Sequence, residues 1–564
     1  MNTPLVDTPA AEIPGIADQV ARKAGEWKAV PLAEKIALLQ DCLVKSIDLY
    51  DEWLRLGMIG RNVDVGLADS MQGWGKADVA ICGPAMFGSY CNVLIQYLQH
   101  CDTNSSGKAP PPVRQRPIID PGNADNQKCA VTVYPNGSWL EFTETVGMQG
   151  ELILNSPEPQ QYKYTESAVG GVAAILGAGN YDVPSDMLTE LFLKGRVVIY
   201  KPNPVAQTTS PVLQQIFATL VERGYVAFVI GGAAVGSILV QQPQLDEVVL
   251  TGSVATLAKI EPLIPNKKKT SICAELGAVN PWIVVPGKHW NKARVDDHAR
   301  ALAWAKTVNN GFVCASPQVI LLARDWEYRQ EFLERVKYWL GEHGGSSPFY
   351  PGSEKTHSHF ASLESAETIP AKAGPAFDNQ QETIFIPNVS KDSPIARDVL
   401  RREAFCPVLA EAPLDISQEE DAAVFLQSAV NYAETHLFGS LTAGILMDDE
   451  TAARPDIESI VANMKFGIVG INILPAFAYS MAQLVWGAFP GQGESGSGFL
   501  GNCGLYQNVE KAIMRAPFFW IGRPLVQVTT PSHASFLWDR MAKYKMNPNF
   551  LTQILLFAAL FLGV

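Results

Sequence analysis

Apolar residues at Ile36, Leu39, Leu43, Ile47 and Tyr50 recur at spacings of 3, 4, 4 and 3. That rhythm places them on one face of a helix, which Pro31 opens with its fixed φ and missing N–H. The rhythm stops at residues 102–127, where Asp102–Gly107 is polar, Ala109–Arg116 is rich in proline and Pro121-Gly122 marks a turn. Val131 and Val133 then alternate into Pro135-Asn136-Gly137, a hairpin signal, and Glu151–Leu154 reads as a further strand. From Val169 onward, short apolar runs alternate with helical stretches. The runs are Val172–Leu176, Val197–Tyr200, Val226–Gly231, Glu247–Thr251 and Trp282–Val285; Pro211–Arg223, closed by Gly224, is one of the helices between them. Such alternation predicts an α/β fold around a doubly wound parallel sheet. Ligands of these sheets sit beyond the carboxyl ends of the strands, where Asn180, Lys201, Gly252, Ser253 and Glu275 all fall.

The C-terminal segment follows neither rhythm. Phe550–Val564 is apolar except at Thr552, Gln553 and Gly563. As a helix at about 1.5 Å per residue it reaches roughly 22 Å, short of the roughly 30 Å hydrocarbon core of a bilayer. Arg540, Lys543 and Lys545 stand just before it. Two readings stand side by side. One is a membrane-dipping anchor with a basic collar. The other is a helix packed on its own chain or on a partner, covering the mouth of a site.

Composition narrows the field. A chain of 564 residues predicts two or more domains with large cores, and an apolar share of 47% is ordinary for a globular protein. A net charge of -13 argues against a phosphate-binding surface, so no nucleic-acid partner is expected. Nine cysteines are scattered without a CxxC pair, which points to a reducing compartment and to no metal site. Met1–Pro14 is polar and acidic, lacking the basic and apolar regions of a secretory leader. A cytoplasmic location is expected, with or without membrane contact through residues 550–564.

The candidate chemistry centres on Cys314, in Asn309-Asn310-Gly311-Phe312-Val313-Cys314-Ala315-Ser316-Pro317, and on Glu275, 39 positions upstream in Ala274-Glu275-Leu276-Gly277-Ala278-Val279-Asn280-Pro281. A lone cysteine is usually a small inert hydrophobe. A thiol and a carboxylate on two glycine-containing loops are instead the parts of a covalent acyl-transfer site: the thiol attacks a carbonyl and the carboxylate activates the water that releases the product. Asn180 reads either as a turn residue or as an amide donating to the oxyanion, together with the Cys314 backbone N–H.

Further motifs carry a family resemblance. Tyr200-Lys201-Pro202-Asn203-Pro204 resembles the strand-end Lys-Pro-Ser-Glu of aldehyde dehydrogenases, and Leu250-Thr251-Gly252-Ser253 resembles their Phe-Thr-Gly-Ser. Glu275-Leu276-Gly277 through Asn280-Pro281 is similar to Glu-Leu-Gly-Gly-Lys-Asn-Pro, and Asn309 through Cys314 to Asn-x-Gly-Gln-x-Cys. Glu403-Ala404-Phe405-Cys406-Pro407-Val408 resembles Glu-x-Phe-Gly-Pro-Val, and Gly179-Asn180-Tyr181 resembles Trp-Asn-Phe or Trp-Asn-Tyr. Six motifs in the family's order span roughly residues 165–500, and on them the chain is identified as a member of the aldehyde dehydrogenase superfamily. The branch stays open, the apolar tail being similar to that of fatty-aldehyde-oxidising members.

The resemblance implies a Rossmann-type cofactor domain, an α/β catalytic domain and a small β oligomerisation element. The corresponding boundaries are 1–128 for the N-terminal helical part of the cofactor domain, 129–165 for the hairpin element and 166–285 for the cofactor core. Residues 286–474 form the catalytic domain, and 475–564 the returning segment with its tail. It implies Cys314 as nucleophile, Glu275 as general base and Asn180 as oxyanion donor. NAD or NADP would be held by Lys201, Asn203, Gly236, Gly252, Ser253, Leu276, Glu403 and Phe405. Of these, Lys201 and Glu403 would bind the nicotinamide ribose and Phe405 would pack near the ring. The substrate would be an aldehyde and the assembly a homodimer or homotetramer. No GxGxxG follows any of the strand runs read above, and the family does not require it.

Three departures matter. Pro204 replaces the acid that commonly binds the adenosine ribose, which removes one discrimination against NADP. Leu257 replaces a glycine and would crowd a pyrophosphate at a helix start. Phe312 replaces a glutamine and, with Phe477, Tyr479 and Trp486, suggests an apolar substrate channel; each of these aromatics taken singly also reads as core packing. Two alternatives follow: a CoA-dependent or reductive acyl-transfer member, which Glu275 disfavours, and a catalytically weak membrane-associated scaffold or binding subunit.

Overall fold

Two sheets carry the chain in the computed structural model, which describes residues 6–562 apart from 68, 120–126, 136–146, 182, 373–379, 492–495, 498, 501–505 and 521–529. The first sheet has six strands in the order Gly496–Ser497, Ser271–Leu276, Glu247–Gly252, Val172–Leu176, Val197–Lys201, Val226–Phe228. The last five are mutually parallel. Val172–Leu176 and Val197–Lys201 are buried at every position, as expected of β-branched runs covered on both faces. Strand order reverses between Val172–Leu176 and Glu247–Gly252, and the crevice of a doubly wound sheet opens at such a switch point.

The second sheet has eleven strands, running Arg114–Ile118, Lys128–Tyr134, Gln149–Leu154, Val509–Arg515, Ile468–Ile471, Thr442–Leu446, Asn280–Val284, Pro317–Ala323, Val408–Leu414, Thr383–Ile386, Glu367–Ile369. Its middle is parallel; the first four strands are mutually antiparallel. Asn280–Val284, read above with the first sheet, lies at the centre of the second. A buried apolar run carries no mark of which sheet it joins. Lys128–Tyr134 pairs with Gln149–Leu154 as an antiparallel hairpin, while the Asn136-Gly137 turn lies outside the described residues. The expected break at 102–127 contains the strand Arg114–Ile118. It is an edge strand, which is why it tolerates Pro117.

The predicted helix after Pro31 is Leu32–Asp48, with Ile36, Leu39 and Leu43 buried; a second helix starts at Tyr50. Pro211–Arg223 is two helices, Ser210–Ile216 and Ala218–Glu222, parted at Phe217. Gln72–Thr103 is long and apolar enough to cross a membrane by composition, yet 83% of its most apolar window is buried inside the fold, as in a core helix. Helix Pro531–Met546 packs against it. Gly88 permits the crossing: a Cβ there would lie 2.6 Å from the carbonyl carbon of Lys545 and the nitrogen of Met546. Asn92 Nδ2 donates to the Lys545 carbonyl at 2.7 Å, and the Tyr50 hydroxyl to Asp539 Oδ1 at 3.0 Å. The tail is a helix, Phe550–Leu562. Gln553, Leu556 and Ala559 are buried, and His533 Nε2 donates to the Ala559 carbonyl at 3.1 Å. Phe550, Leu551, Ile554, Leu555 and Phe557 form an exposed apolar face.

Candidate active site

Helix Lys292–Thr307 runs into a turn in which Asn309 (φ 53°), Asn310 (φ 54°) and Gly311 (φ 72°) are all left-handed. L-residues avoid that region, asparagine least and glycine not at all, so three in succession need outside support. Arg61 Nε donates to Asn309 Oδ1 at 3.2 Å, and Asn309 Nδ2 donates to the Asn180 carbonyl at 2.9 Å. Asn310 Nδ2 donates to Gln381 Oε1 at 3.0 Å, while its Oδ1 accepts from the Ser346 N–H at 3.0 Å. Beyond the turn, Asn280 Nδ2 donates to the carbonyls of Cys314, at 2.7 Å, and Ser316, at 3.0 Å. The loop bearing Cys314 is thus fixed from both sides. Of the eight described cysteines, seven are buried and Cys314 alone is partly exposed, so it alone meets the first condition for a nucleophile.

Glu275 is the penultimate residue of the strand Ser271–Leu276, level with Thr251 on its neighbour. Burial raises its pKa; the adjacent Cys314 thiol and Trp486 indole act the other way. Its Oε1 accepts no hydrogen bond from the described residues, which leaves a lone pair for a water. Burial, and secondly the charge of Glu275, push the Cys314 thiol well above its ordinary value. The two groups therefore compete for one proton. Asn180 Nδ2 donates to the Phe312 carbonyl at 2.9 Å, and Arg61 Nη2 donates to the Asn180 carbonyl at 3.2 Å. One amide N–H of Asn180 remains for a ligand.

These three residues line one end of a cavity of about 290 Å³ at the carboxyl ends of the first sheet's strands, together with Tyr479 and Trp486. Asn203, Gly252, Ser253, Thr256, Leu276, Glu403 and Phe405 line the rest. Glu403 approaches the backbone so closely that a Cβ at Gly277 would collide with its carboxyl group, and the Ala278 N–H bonds to it. Burial first, then the charge of Glu275, push Glu403 up to about 8. Phe405 sits at φ 44°, a strained value for an aromatic residue.

Lys201 and Gly236 are not on the wall formed by the described residues. Lys201 is buried, its Nζ donates to the Pro202 carbonyl at 3.3 Å, and a Cβ at Gly236 would lie 3.5 Å from its side chain. Burial lowers its pKa to about 8. Leu257 packs against the core, and Thr256 faces the cavity in its place. Phe312 is also off the wall: it is wholly buried among Phe349, Tyr350 and Phe405 and reaches the cavity only through the last two. Sequence reasoning missed Tyr350, which lines the cavity beside Gly179 from a segment without any motif.

Residues 141–510 match the sequence model of the aldehyde dehydrogenase family. The chain belongs to that family. Mouse aldehyde dehydrogenase family 3 member A2 is 26% identical over 250 residues, 44% of this chain and 50% of its own length. The dimeric NADP-preferring aldehyde dehydrogenase of dog is 27% identical over 198 residues, 35% of this chain and 42% of its own. The chain thus spans about half the length of the curated aldehyde dehydrogenases it matches or less. The solved structure of betaine aldehyde dehydrogenase from Staphylococcus aureus superposes with a TM-score of 0.61 at 18% identity, covering 90% of both chains, a likeness of fold alone.

Proposed function

We propose that this aldehyde dehydrogenase family member oxidises an apolar aldehyde to its acid, with NAD or NADP as acceptor. One observation carries the reading: the accessible thiol, Cys314, and a buried carboxyl with an unused oxygen, Glu275, share one cavity with a free amide N–H of Asn180. Cys314 gives its proton to water in the cavity and its sulfur adds to the aldehyde carbon, Asn180 and the Cys314 N–H receiving the oxyanion; loss of that carbon's hydride to the nicotinamide acceptor would leave a thioester. Glu275 then takes a proton from water, whose oxygen bonds to the acyl carbon as the C–S bond breaks. A screen of aldehydes of graded chain length, read by nicotinamide absorbance, tests the reading; no turnover with any would overturn it.

The cavity beyond the catalytic end has lining groups that suit a nicotinamide dinucleotide. It exceeds what an aldehyde group needs, and Asn203, Ser253, Thr256 and Glu403 offer amide, hydroxyl and carboxyl groups suited to ribose and phosphate. When bound, that group supplies the hydride acceptor. The dog relative is named NADP-preferring, and the exposed Pro204 follows Asn203 where an acid would repel a 2′-phosphate. Selectivity between NAD and NADP is therefore expected to be weak. Pro204→Glu should weaken NADP binding about tenfold and change NAD binding little, measured by titration calorimetry. A wild-type preference above about a thousandfold, roughly 4 kcal/mol, would assign the choice to another residue.

The apolar preference draws on a second, smaller cavity, of about 80 Å³, lined by Ile81, Met86, Tyr134, Met148, Phe477, Met481, Trp538 and Met541 among others. The short helical segment Pro475–Ser480 divides the two: Ala476 and Tyr479 face the first, Phe477 and Ser480 the second. An alkyl chain held at Cys314 would lie against this partition. Catalytic efficiency should then rise about fourfold per added methylene, from about 0.8 kcal/mol each, and Met541→Trp should flatten the rise. A flat wild-type profile would exclude the chamber from substrate binding. The exposed face of Phe550–Leu562, next to Lys543 and Lys545, supports contact with a lipid surface. Because Trp538 and Met541, not this tail, wall the chamber, removing residues 550–564 should abolish vesicle co-sedimentation yet keep the chain-length profile.

We further take the protein as a cytoplasmic homodimer or homotetramer built through its hairpin element. Edge strand Arg114–Ile118, with Arg114, Arg116 and Pro117, is ill-suited to strand addition, so the outer face of that element is the better contact. A monomeric mass by light scattering would reject it.

A further inference from the structure

Asp186 is a buried carboxyl group, 6% exposed, to which the mechanism above gives no part. It lies just past Asn180, on helix Ser185–Leu188. The Thr251 hydroxyl donates to Asp186 Oδ2 at 3.5 Å, and Thr251 stands level with Glu275 on the adjacent parallel strand. Side chains in register on parallel neighbours share a face, and Thr251 and Glu275 both line the cavity, so one water there can join the Thr251 hydroxyl to Glu275. The chain continues through a π-helical turn, Thr189–Leu193, which carries Glu190, with Lys194 just beyond it, and both charges act on Asp186. Lys194 Nζ donates to Glu190 Oε1 at 2.7 Å and Glu247 Oε1 at 3.3 Å; Arg196 Nη1 donates to Glu190 Oε2 at 2.9 Å. The side chains of Lys194 and Arg196 are 19% and 12% exposed, so this cluster reaches solvent.

A buried acid without a task costs stability. We infer that Asp186 is a proton-relay residue, taking the proton of the hydrolytic water from Glu275 over the Thr251 hydroxyl and passing it towards the Glu190–Lys194–Arg196–Glu247 cluster. The inference rests on the reading that Glu275 activates water. Each thioester hydrolysed leaves one water proton on Glu275 as the C–S electrons return to Cys314, and that proton must leave before the next turnover. Through a water in the cavity Thr251 can accept it and donate its own hydroxyl proton to Asp186, so the exchange balances. The groups facing Asp186 are Thr251 and Glu275 from the sheet, Tyr479 from Pro475–Ser480, and Glu190 and Lys194 from the chain that follows it. Burial, then the charge of Glu275, push Asp186 up to about 7. Below that pH it holds its proton and cannot accept another, so hydrolysis should quicken as pH rises through it.

The test uses the full chain and p-nitrophenyl acetate, which acylates a thiol without any nicotinamide. A burst of nitrophenolate reports acylation and the steady phase reports hydrolysis of the acyl-enzyme. Asp186→Asn should keep the burst, slow the steady phase about tenfold near neutral pH, and remove its inflection near 7. Thr251→Val, which keeps the shape and removes the hydroxyl, should slow the same phase and carries the test if Asp186→Asn does not fold. A wild-type protein without a burst would sink the reading of Cys314 and Glu275, and the relay with it. A normal wild-type burst, with unchanged hydrolysis and pH profile in the variants, overturns the relay alone.

Discussion

Replacing Cys314 by alanine is expected to cut aldehyde turnover by at least about ten-thousandfold while nicotinamide affinity stays within about twofold. No other described cysteine can take over, because the remaining seven are buried. The Cys314 side chain bonds to Glu275 and to the adjacent Ala315 N–H, and gives the loop little of its support. That support comes from Arg61, Asn280, Asn309 and Asn310, so the variant should fold and bind as the parent does. Stopped-flow turnover and calorimetric titration of the same preparation separate the two quantities. Surviving turnover, with an electrophilic aldehyde mimic labelling a different cysteine, would move the site elsewhere.

Glu275→Gln should have the second largest effect: steady turnover falls about a hundred- to thousandfold while a first-turnover burst of reduced nicotinamide remains. The sign follows from the neighbouring groups. The charge on Glu275 helps to hold the proton on Cys314, so a neutral amide leaves the thiol easier to ionise and acylation no slower. The amide cannot accept a proton from water, and the thioester therefore persists. In the wild type, steady turnover should rise with pH as Glu275, its pKa raised by burial, loses its proton; in the variant this dependence should vanish. If the burst disappears in a folded variant, Glu275 acts before the thioester forms, as acceptor of the thiol proton.

The loop and strand ends that bring Cys314, Glu275 and Asn180 to one cavity are legible in the sequence because their geometry is encoded locally. Asn309-Asn310-Gly311 spells out a left-handed turn, and Gly277 marks the spot where Glu403 needs bare backbone. Strand ends were legible for the same reason, since apolar runs stop where polar loop residues begin. What depends on distant packing was not. Lys201 and Gly236 sit at readable positions, yet the Lys201 side chain lies against Gly236 and neither lines the cavity. Asn280–Val284 reads as a strand but carries no sign of its sheet. Tyr350 lies in a segment without period or motif, and Phe312, readable as a departure, points into an aromatic cluster formed by chain more than thirty residues away. Helix Pro531–Met546 has a plain sequence; its partner across the fold, approached through Gly88, does not appear in it.

That crossing at Gly88 bears on how the protein is made. Both sheets, and with them Cys314 and Glu275, leave the ribosome before residues 531–546 do, and domains begin to fold while the chain is still being synthesised. Throughout that interval the face around Gly88 and Asn92, and the chamber later walled by Trp538 and Met541, stand open to water and to other nascent chains. Chaperone occupancy of ribosome-bound chains should therefore persist until this helix emerges. A premature stop codon before Pro531 should yield not a weakened enzyme but a product with an unsealed apolar surface, removed by proteolysis before its chemistry matters.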